Sequence, residues 1–457
     1  MRMTGMELAL ATGGSWSDGM PEAVSGICTD SRHAERDAAF LALRGPHHDG
    51  HAFAAQAAAS CTALIGDAAG AALWDGIARP RLVVADTLAA LGDIAAAWRQ
   101  RLTDTCVIAI TGSYGKTTVR SMIVHTLAVL GLRVATNPAN HNNLVGVPQT
   151  LLAIPENAEF AVIECGISEP GEMHRLAGIV QPDAAVMTGL TSAHGQGLGG
   201  LEGVVREKFE LLAAVTDDGW CVLGTGVQDQ LGQRQLTLQA PCIAMDASDE
   251  GRVAWSLDGR HLALAYGAQS AEVRMLLPAS HWAEDMALAA TVVLKACGSR
   301  GITLDAVAEA LSGWRPLSGR MQLVPGLGGS VILDDSYNAN PASMQAALDT
   351  LAGLSGKRIA ILGDMSELGE DAAERHAAMD VDGIDRLILV GPLMRHLAER
   401  HPEALWLPDT DAACRHVAGL GLEPGTHVLV KASRSMHLDR IVAVLARHPE
   451  QEAGHAV

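Results

Sequence analysis

Nowhere in this chain is there a run of roughly 20 apolar residues, so no segment is expected to span a membrane as a helix. The opening stretch MRMTGMELALATGGSWSDG lacks the apolar core of a secretory signal. No C-x-x-C pair occurs either. The eight cysteines (Cys28, Cys61, Cys106, Cys165, Cys221, Cys242, Cys297 and Cys414) are scattered, most of them inside apolar runs. They are expected to be reduced core thiols, not a disulfide framework or a zinc site. These absences together make the cytoplasm the expected compartment. Basic residues are also scarce: 33 Lys and Arg face 52 Asp and Glu, for a net charge of −19. That balance argues against a general binder of nucleic acid or of an anionic membrane. It is compatible with an anionic small substrate, which a few local cations and backbone amides suffice to hold. No internal repeat and no low-complexity linker is seen.

What the sequence does contain suits a soluble globular enzyme, with 48% hydrophobic and 19% charged residues. Its 457 residues exceed one ordinary core, so two to three domains are expected. Residues 1 to about 100 are Ala-rich, with helical patches at 52–59 and 69–72 and no phosphate loop. From about residue 103 short apolar runs alternate with helical stretches: CVIAIT (106–111), FAVIEC (160–165), AAVMTG (184–189) and WCVLG (220–224). That alternation is the pattern of a parallel α/β sheet. A third block begins near Pro316, with VILDD (331–335), RIAILG (358–363), RLILVG (386–391) and HVLVK (427–431), and reads as a Rossmann-like unit.

Four constellations carry candidate chemistry. Thr111-Gly112-Ser113-Tyr114-Gly115-Lys116-Thr117-Thr118 lies between a strand and a helix. Its glycines let backbone N–H groups close around phosphate oxygens, Lys116 supplies a point charge, and Thr117 offers a hydroxyl to Mg²⁺. Ile110 replaces the first glycine of the strict phosphate-loop pattern, and a Gly-rich turn without ligand is the plainer alternative. Glu164, His194 and Lys208 form the second group. A carboxylate and an imidazole at the carboxyl ends of strands can hold Mg²⁺ against phosphates. Taken singly, they read equally well as a solvated strand end, a loop histidine and a helix-surface lysine. Asp334-Asp335-Ser336-Tyr337-Asn338-Ala339-Asn340-Pro341 closes a strand, suiting either nucleotide or substrate contact or a capped turn. Lys431-Ala432-Ser433-Arg434-Ser435 could hold a carboxylate or cap the last helix.

These segments, in this order, resemble the Mur ligase family, together with NHNNLVGVP (140–148), AHGQGLGGLEGVVREKFELL (193–212), ILGDMSELGE (361–370) and an N-terminal TDSR (29–32). Within the family they are most similar to the type that adds D-alanyl-D-alanine to a UDP-linked muramoyl tripeptide. The resemblance covers nearly the whole chain. It implies three α/β domains: an N-terminal UDP-sugar domain (1–100), a central ATP-binding domain of phosphate-loop type (101–316) and a C-terminal Rossmann-like domain (317–457). It implies an ADP-forming carboxylate–amine ligase with ATP and two Mg²⁺ ions as cofactors. Lys116, Lys208 and His194 would be catalytic, with Lys208 carbamylated into a metal ligand beside Thr117, Glu164 and His194. Gly112 to Thr118, Arg320 and Asp335 would contact ATP. Ser31 and Arg32 would lie near the UDP moiety, and Asn338, Asn340, Ser433 and Arg434 near a D-Ala-D-Ala-like amine. The partners implied are the UDP-linked or another carboxylate substrate and that amine, with no nucleic acid or membrane and a monomeric chain.

The sequence also departs from the family. The adenine-side H-N-x-x-N stands here as His281-Trp282-Ala283-Glu284-Asp285, and Gly224-Thr225-Gly226 replaces an Asn-Asp pair. Trp282 is expected either to stack on a purine, which would weaken discrimination between ATP and GTP, or to pack in the core. A paralogue ligating another amino acid or peptide outside cell-wall synthesis stays open, as does a folylpolyglutamate-type ligase, which TDSR opposes. A nucleotide-binding scaffold without turnover is the rival from another class. Because Lys116 is the one cation in the loop, Lys116→Ala should abolish ATP turnover on folded protein; phosphate release measured against the parent checks this.

Overall fold

Apolar runs with β-branched residues became strands, and the Ala- and Leu-rich stretches between them became the helices that cover the sheets. The computed structural model describes residues 1–45, 48–138, 140–191, 195–247 and 251–447. Three α/β units follow one another along the chain.

The first is built on a five-stranded sheet in the order Ser15–Ser17, Arg81–Val84, Ala63–Asp67, Ala39–Leu41, Ile27–Cys28, antiparallel at the Ser15–Ser17 edge and parallel elsewhere. Helix Thr87–Arg99 follows it, capped by Asp86, whose carboxylate accepts the Ala89 N–H at 2.7 Å. This helix buries Leu91, Ile94 and Trp98 in a core shared with the middle unit. Its Arg99 donates to the Val180 and Gln181 carbonyls and pairs with Asp183, tying the two units together.

The middle sheet is wholly parallel, in the order Cys242–Ala244, Trp220–Leu223, Ala184–Met187, Cys106–Thr111, Phe160–Glu164, Val134–Thr136. Cys106–Thr111 lies between neighbours on both sides, and the carboxyl ends of it and Phe160–Glu164 are in register, Ile110 opposite Glu164. Side chains near the ends of these two strands therefore meet, which is where an open α/β sheet builds its ligand site. A three-stranded antiparallel sheet, Ala254–Asp258, His261–Tyr266 and Gln269–Arg274, was not foreseen. Only its middle strand alternates cleanly in burial, with Leu262 and Leu264 inward, so its apolar signal is weak.

The last unit carries an antiparallel edge strand, Gln322–Pro325, against Val331–Asp335, then Thr426–Lys431, Lys357–Gly363, Arg386–Val390 and Leu405–Leu407 in parallel. All strands expected from the sequence here and in the middle unit form, within a residue or two of their expected ends. Among the described residues no cysteine forms a disulfide; four of the eight are buried and Cys242 is exposed. Among the described residues no helix is long and apolar enough to cross a membrane.

The middle and last units share a second core, in which Trp282 on helix Ser280–Ala296 meets Trp314 edge-on at 5.2 Å. Trp314 Nε1 donates to Ser121 Oγ at 3.1 Å, so its polar tip is satisfied while its ring is 3% exposed. Trp314→Ala should lower stability by about 3–5 kcal/mol through the cavity it leaves, read as a lower urea midpoint by far-UV circular dichroism.

Candidate functional site

Strand Cys106–Thr111 is buried over its last five residues and ends in a loop that turns straight into helix Lys116–Val129. Gly112 (φ +150°) and Gly115 (φ +76°) give the loop its path. A Cβ on Gly112 would stand 2.1 Å from Thr188 Oγ1, so no side chain fits there. Gly115 caps the helix without a side-chain hydrogen bond, leaving the first-turn N–H groups turned toward the cavity. Lys116 Nζ folds back on the Gly112 carbonyl at 2.8 Å.

Glu164 is 4% exposed. Its Oε2 accepts the Thr117 hydroxyl at 2.9 Å and its Oε1 the Asn142 amide at 2.9 Å, with Arg120 Nη1 3.5 Å away. Asn137 bridges this arrangement: it takes the Glu164 N–H, donates to the Glu164 carbonyl and receives Arg120. Burial raises the Glu164 carboxyl, but the charges of Lys116 and Arg120 outweigh it, aided by Asn142 and Thr117, and hold it below its ordinary range. Glu164 is ionised. Lys208, on helix Gly200–Ala213, is 3% exposed. Burial, with the Lys116 charge added, drives its amine well below its ordinary pKa. It is a buried side chain, not the helix-surface lysine of the plainer reading.

Both groups line a cavity of about 620 Å³ with Ser113 through Thr118. The opposite wall comes from the last unit: Arg320, Asp335, Tyr337, Asn338, Asn340 and Lys431. Arg320 Nη2 stands 3.4 Å from Thr117 Oγ1, and Lys431 Nζ donates to Asp335 Oδ2 at 2.6 Å and to the Asn338 carbonyl at 3.0 Å. Asn340 turns its side chain to helix Pro341–Ala352, accepting the Ser343 N–H at 2.9 Å in a capping box.

Ser433 and Arg434 stand behind this wall. Ser433 Oγ accepts the Ser366 N–H at 2.7 Å, and Arg434 pairs with Asp439 at 3.6 Å. Ser31 and Arg32 lie in the first unit, beside a hollow of about 310 Å³ lined by residues 26–30, His33, Glu35, Ala38 and Gln149. There Arg32 is held by Asp30 at 2.6 Å and Ser31 donates to Gln56 at 3.0 Å. His194 lies outside the described residues. Sequence reasoning gave no role to Arg120, Asn137 or Asn142. Arg120 sits one helical turn beyond Thr117, a spacing that puts both on one face and could have flagged it.

Trp282 is 2% exposed, with Trp314 on its ring, so it is a core residue and the purine-stacking alternative falls. Burial, with Glu284 adding to it, pushes the Asp285 carboxyl well above its ordinary pKa.

Three family models match the chain: the Mur ligase family catalytic domain at 23–99, the Mur ligase middle domain at 110–293, and the Mur ligase glutamate ligase domain at 319–434. The chain is 33% identical over 449 residues to the UDP-N-acetylmuramoyl-tripeptide–D-alanyl-D-alanine ligase of Bacillus subtilis, covering 93% of this chain and 94% of the relative. To the Escherichia coli enzyme of the same name it is 32% identical over 433 residues, covering 92% and 93%. The crystal structure of MurF from Acinetobacter baumannii is similar at a TM-score of 0.85 and 28% identity, over 97% of this chain and 98% of that one. MurF from Thermotoga maritima in complex with ADP shares the fold at a TM-score of 0.77 and 22% identity, over 92% and 96%.

One cavity residue gives the fold a pH signature. His281 Nδ1 is buried without a partner, and burial, with the Lys431 charge added, pushes the imidazole down to about 4 from 6.5. Between those values the unfolded chain binds more protons than the folded one, so stability falls as pH falls through 6.5 toward 4. From pH 7 to 5 the parent should lose about 2 kcal/mol more than His281→Gln, measured as the difference between their urea-unfolding free energies.

Proposed function

The chain belongs to the Mur ligase family, and from that premise we propose that it joins D-alanyl-D-alanine to the tripeptide carboxylate of a UDP-N-acetylmuramoyl-tripeptide, as its relatives are named for doing, at the expense of ATP. The carrying observation is the cavity: a phosphate loop and a buried carboxylate on one wall, an arginine reaching that loop from the other. The N-terminal hollow beside Ser31 and Arg32 takes the UDP end, and the domain limits lie near residues 100 and 316.

The substrate carboxylate attacks the γ-phosphorus of ATP, forming an acyl phosphate and releasing ADP. The dipeptide amine then attacks the acyl carbon, and the tetrahedral intermediate expels phosphate as the amide forms. Positioning and charge neutralisation do the work, with no covalent bond to the protein. Lys116 releases the Gly112 carbonyl and turns to the phosphates, while first-turn N–H groups receive phosphate oxygens. Arg320 neutralises charge from the far side. Asp335, braced by Lys431, accepts a ribose hydroxyl.

The donor set fits Mg²⁺. Thr117 and Glu164 present hard oxygens 2.9 Å apart, and no cluster of three His, Cys, Asp or Glu occurs among the described residues, so phosphates and water would supply part of the shell. When bound, Mg²⁺ draws charge from the phosphate oxygens. Thr117 and Glu164 would hold it, and Lys208 would join them as a carbamate, along with His194. Burial, which lowers the pKa of the Lys208 amine, favours the unprotonated form that CO₂ requires as its nucleophile. The chain works as a monomer on this reading.

Two measurements test it. Mass analysis of products from a panel of UDP-linked acids and dipeptides, with ATP, should show the D-alanyl-D-alanine amide; a different amide would point to a paralogue. Lys208→Ala should lose activity and regain part of it with added short carboxylates. Full activity in that variant would remove the carbamate.

A further inference from the structure

Arg320 must be aimed across a gap. It belongs to the last unit, yet its guanidinium sits at the phosphate loop of the middle unit, close enough to Lys116 for their charges to repel. Among the described residues no carboxylate lies within ion-pair distance of it, and its contact with Thr117 Oγ1 is long at 3.4 Å. What it does have is a stack: its guanidinium carbon lies 4.0 Å from the centroid of the Tyr337 ring. A planar, weakly hydrated cation on an aromatic face is held in orientation as well as in place.

Tyr337 is itself fixed from several sides. Its backbone N–H donates to the Gly319 carbonyl at 3.1 Å, next to Arg320 in the chain. Its hydroxyl donates to Asn140 Oδ1, which belongs to the opposite wall, in the segment before helix Gly146–Ala153. The Arg434 guanidinium stands 6.0 Å from the same ring. One aromatic side chain thus stacks on Arg320, bonds to the facing unit and has Arg434 nearby.

Resting on the reading of Arg320 as a phosphate contact, we infer that Tyr337 is the positioning residue that holds Arg320 over the phosphate loop and ties that placement to the closeness of the cavity's two walls through Asn140. The ring supplies the aim, and the hydroxyl supplies the tie. Removing the ring frees Arg320; removing the hydroxyl leaves the stack and loosens the walls.

The test uses full-length Tyr337→Leu, Tyr337→Phe, Asn140→Ala, Arg320→Ala and the Tyr337→Leu/Arg320→Ala double variant. Tyr337→Leu should lower kcat about ten- to a hundredfold, with the KM for ATP moving far less. Tyr337→Phe should keep most of kcat and match Asn140→Ala, their combination adding nothing further. The double variant should be no slower than Arg320→Ala alone. Parental kcat in Tyr337→Leu, or losses that multiply in the double variant, would overturn the inference. Should the leucine variant not fold, Tyr337→Gln, also unable to stack, takes its place. Phosphate release by the parent tests the proposed function itself. The inference is tested separately by coupling between positions 337 and 320 in urea midpoints, which needs no turnover: less-than-additive shifts support it and additive shifts sink it.

Discussion

An ionised carboxylate that is 4% exposed at the end of a strand, as Glu164 is, has lost most of its hydration, and an uncompensated charge in such a place costs several kcal/mol. Everything around it serves as compensation. Thr117 and Asn142 satisfy its two oxygens, Arg120 and Lys116 supply opposite charge, and Asn137 locks the backbone on either side. The phosphate-loop helix, Asn137, Asn142 and strand Phe160–Glu164 are therefore fixed relative to one another by one anion. Arg120 is held in turn, since it is 5% exposed and rests on Asn137 and Glu164. The loop geometry depends as much on this polar centre as on its glycines.

The same centre gathers positive charge within a chain of net charge −19. Lys116, Arg120 and Arg320 converge on Glu164 and Thr117, giving a local surplus of positive charge inside an acidic molecule. Low-dielectric walls keep that surplus from being screened by salt, unlike the exposed pairs on the surface. Burial and the Lys116 charge both push the Lys208 amine toward its unprotonated form, which eases the repulsion among the cations.

Much of this was legible in the residues. The strands of the middle and last units announced themselves as short apolar runs closed by Gly or acidic residues, and the loop from Thr111 to Thr118 carried its chemistry in its composition. Glu164 could be placed near the loop by its strand end and Lys208 only by the family resemblance, but the burial of neither could be read, because it depends on which helices cover the sheet. Asn340 illustrates the opposite limit: an Asn before Pro-x-Ser is also a helix cap, and it is used as one. Trp282 was ambiguous for a similar reason. Its partner Trp314 is 32 residues away, and no periodicity links them. The antiparallel sheet at 254–274 alternates cleanly only in its middle strand and has too little apolar content to stand out.

The order of strands in the middle sheet has a consequence for how the chain is made. Cys106–Thr111 comes first in sequence among the six yet lies third from one edge, and its two neighbours are Phe160–Glu164 and Ala184–Met187. As the polypeptide leaves the ribosome, this strand has no lateral partner until the first of these emerges and remains open on its other side until the second does. At typical elongation rates that interval is on the order of 4–15 s. For those seconds an apolar strand with an unpaired edge is exposed to any other strand that can add to it. The strand that leads into the phosphate loop is thus, in the nascent chain, an open edge before it is a buried one.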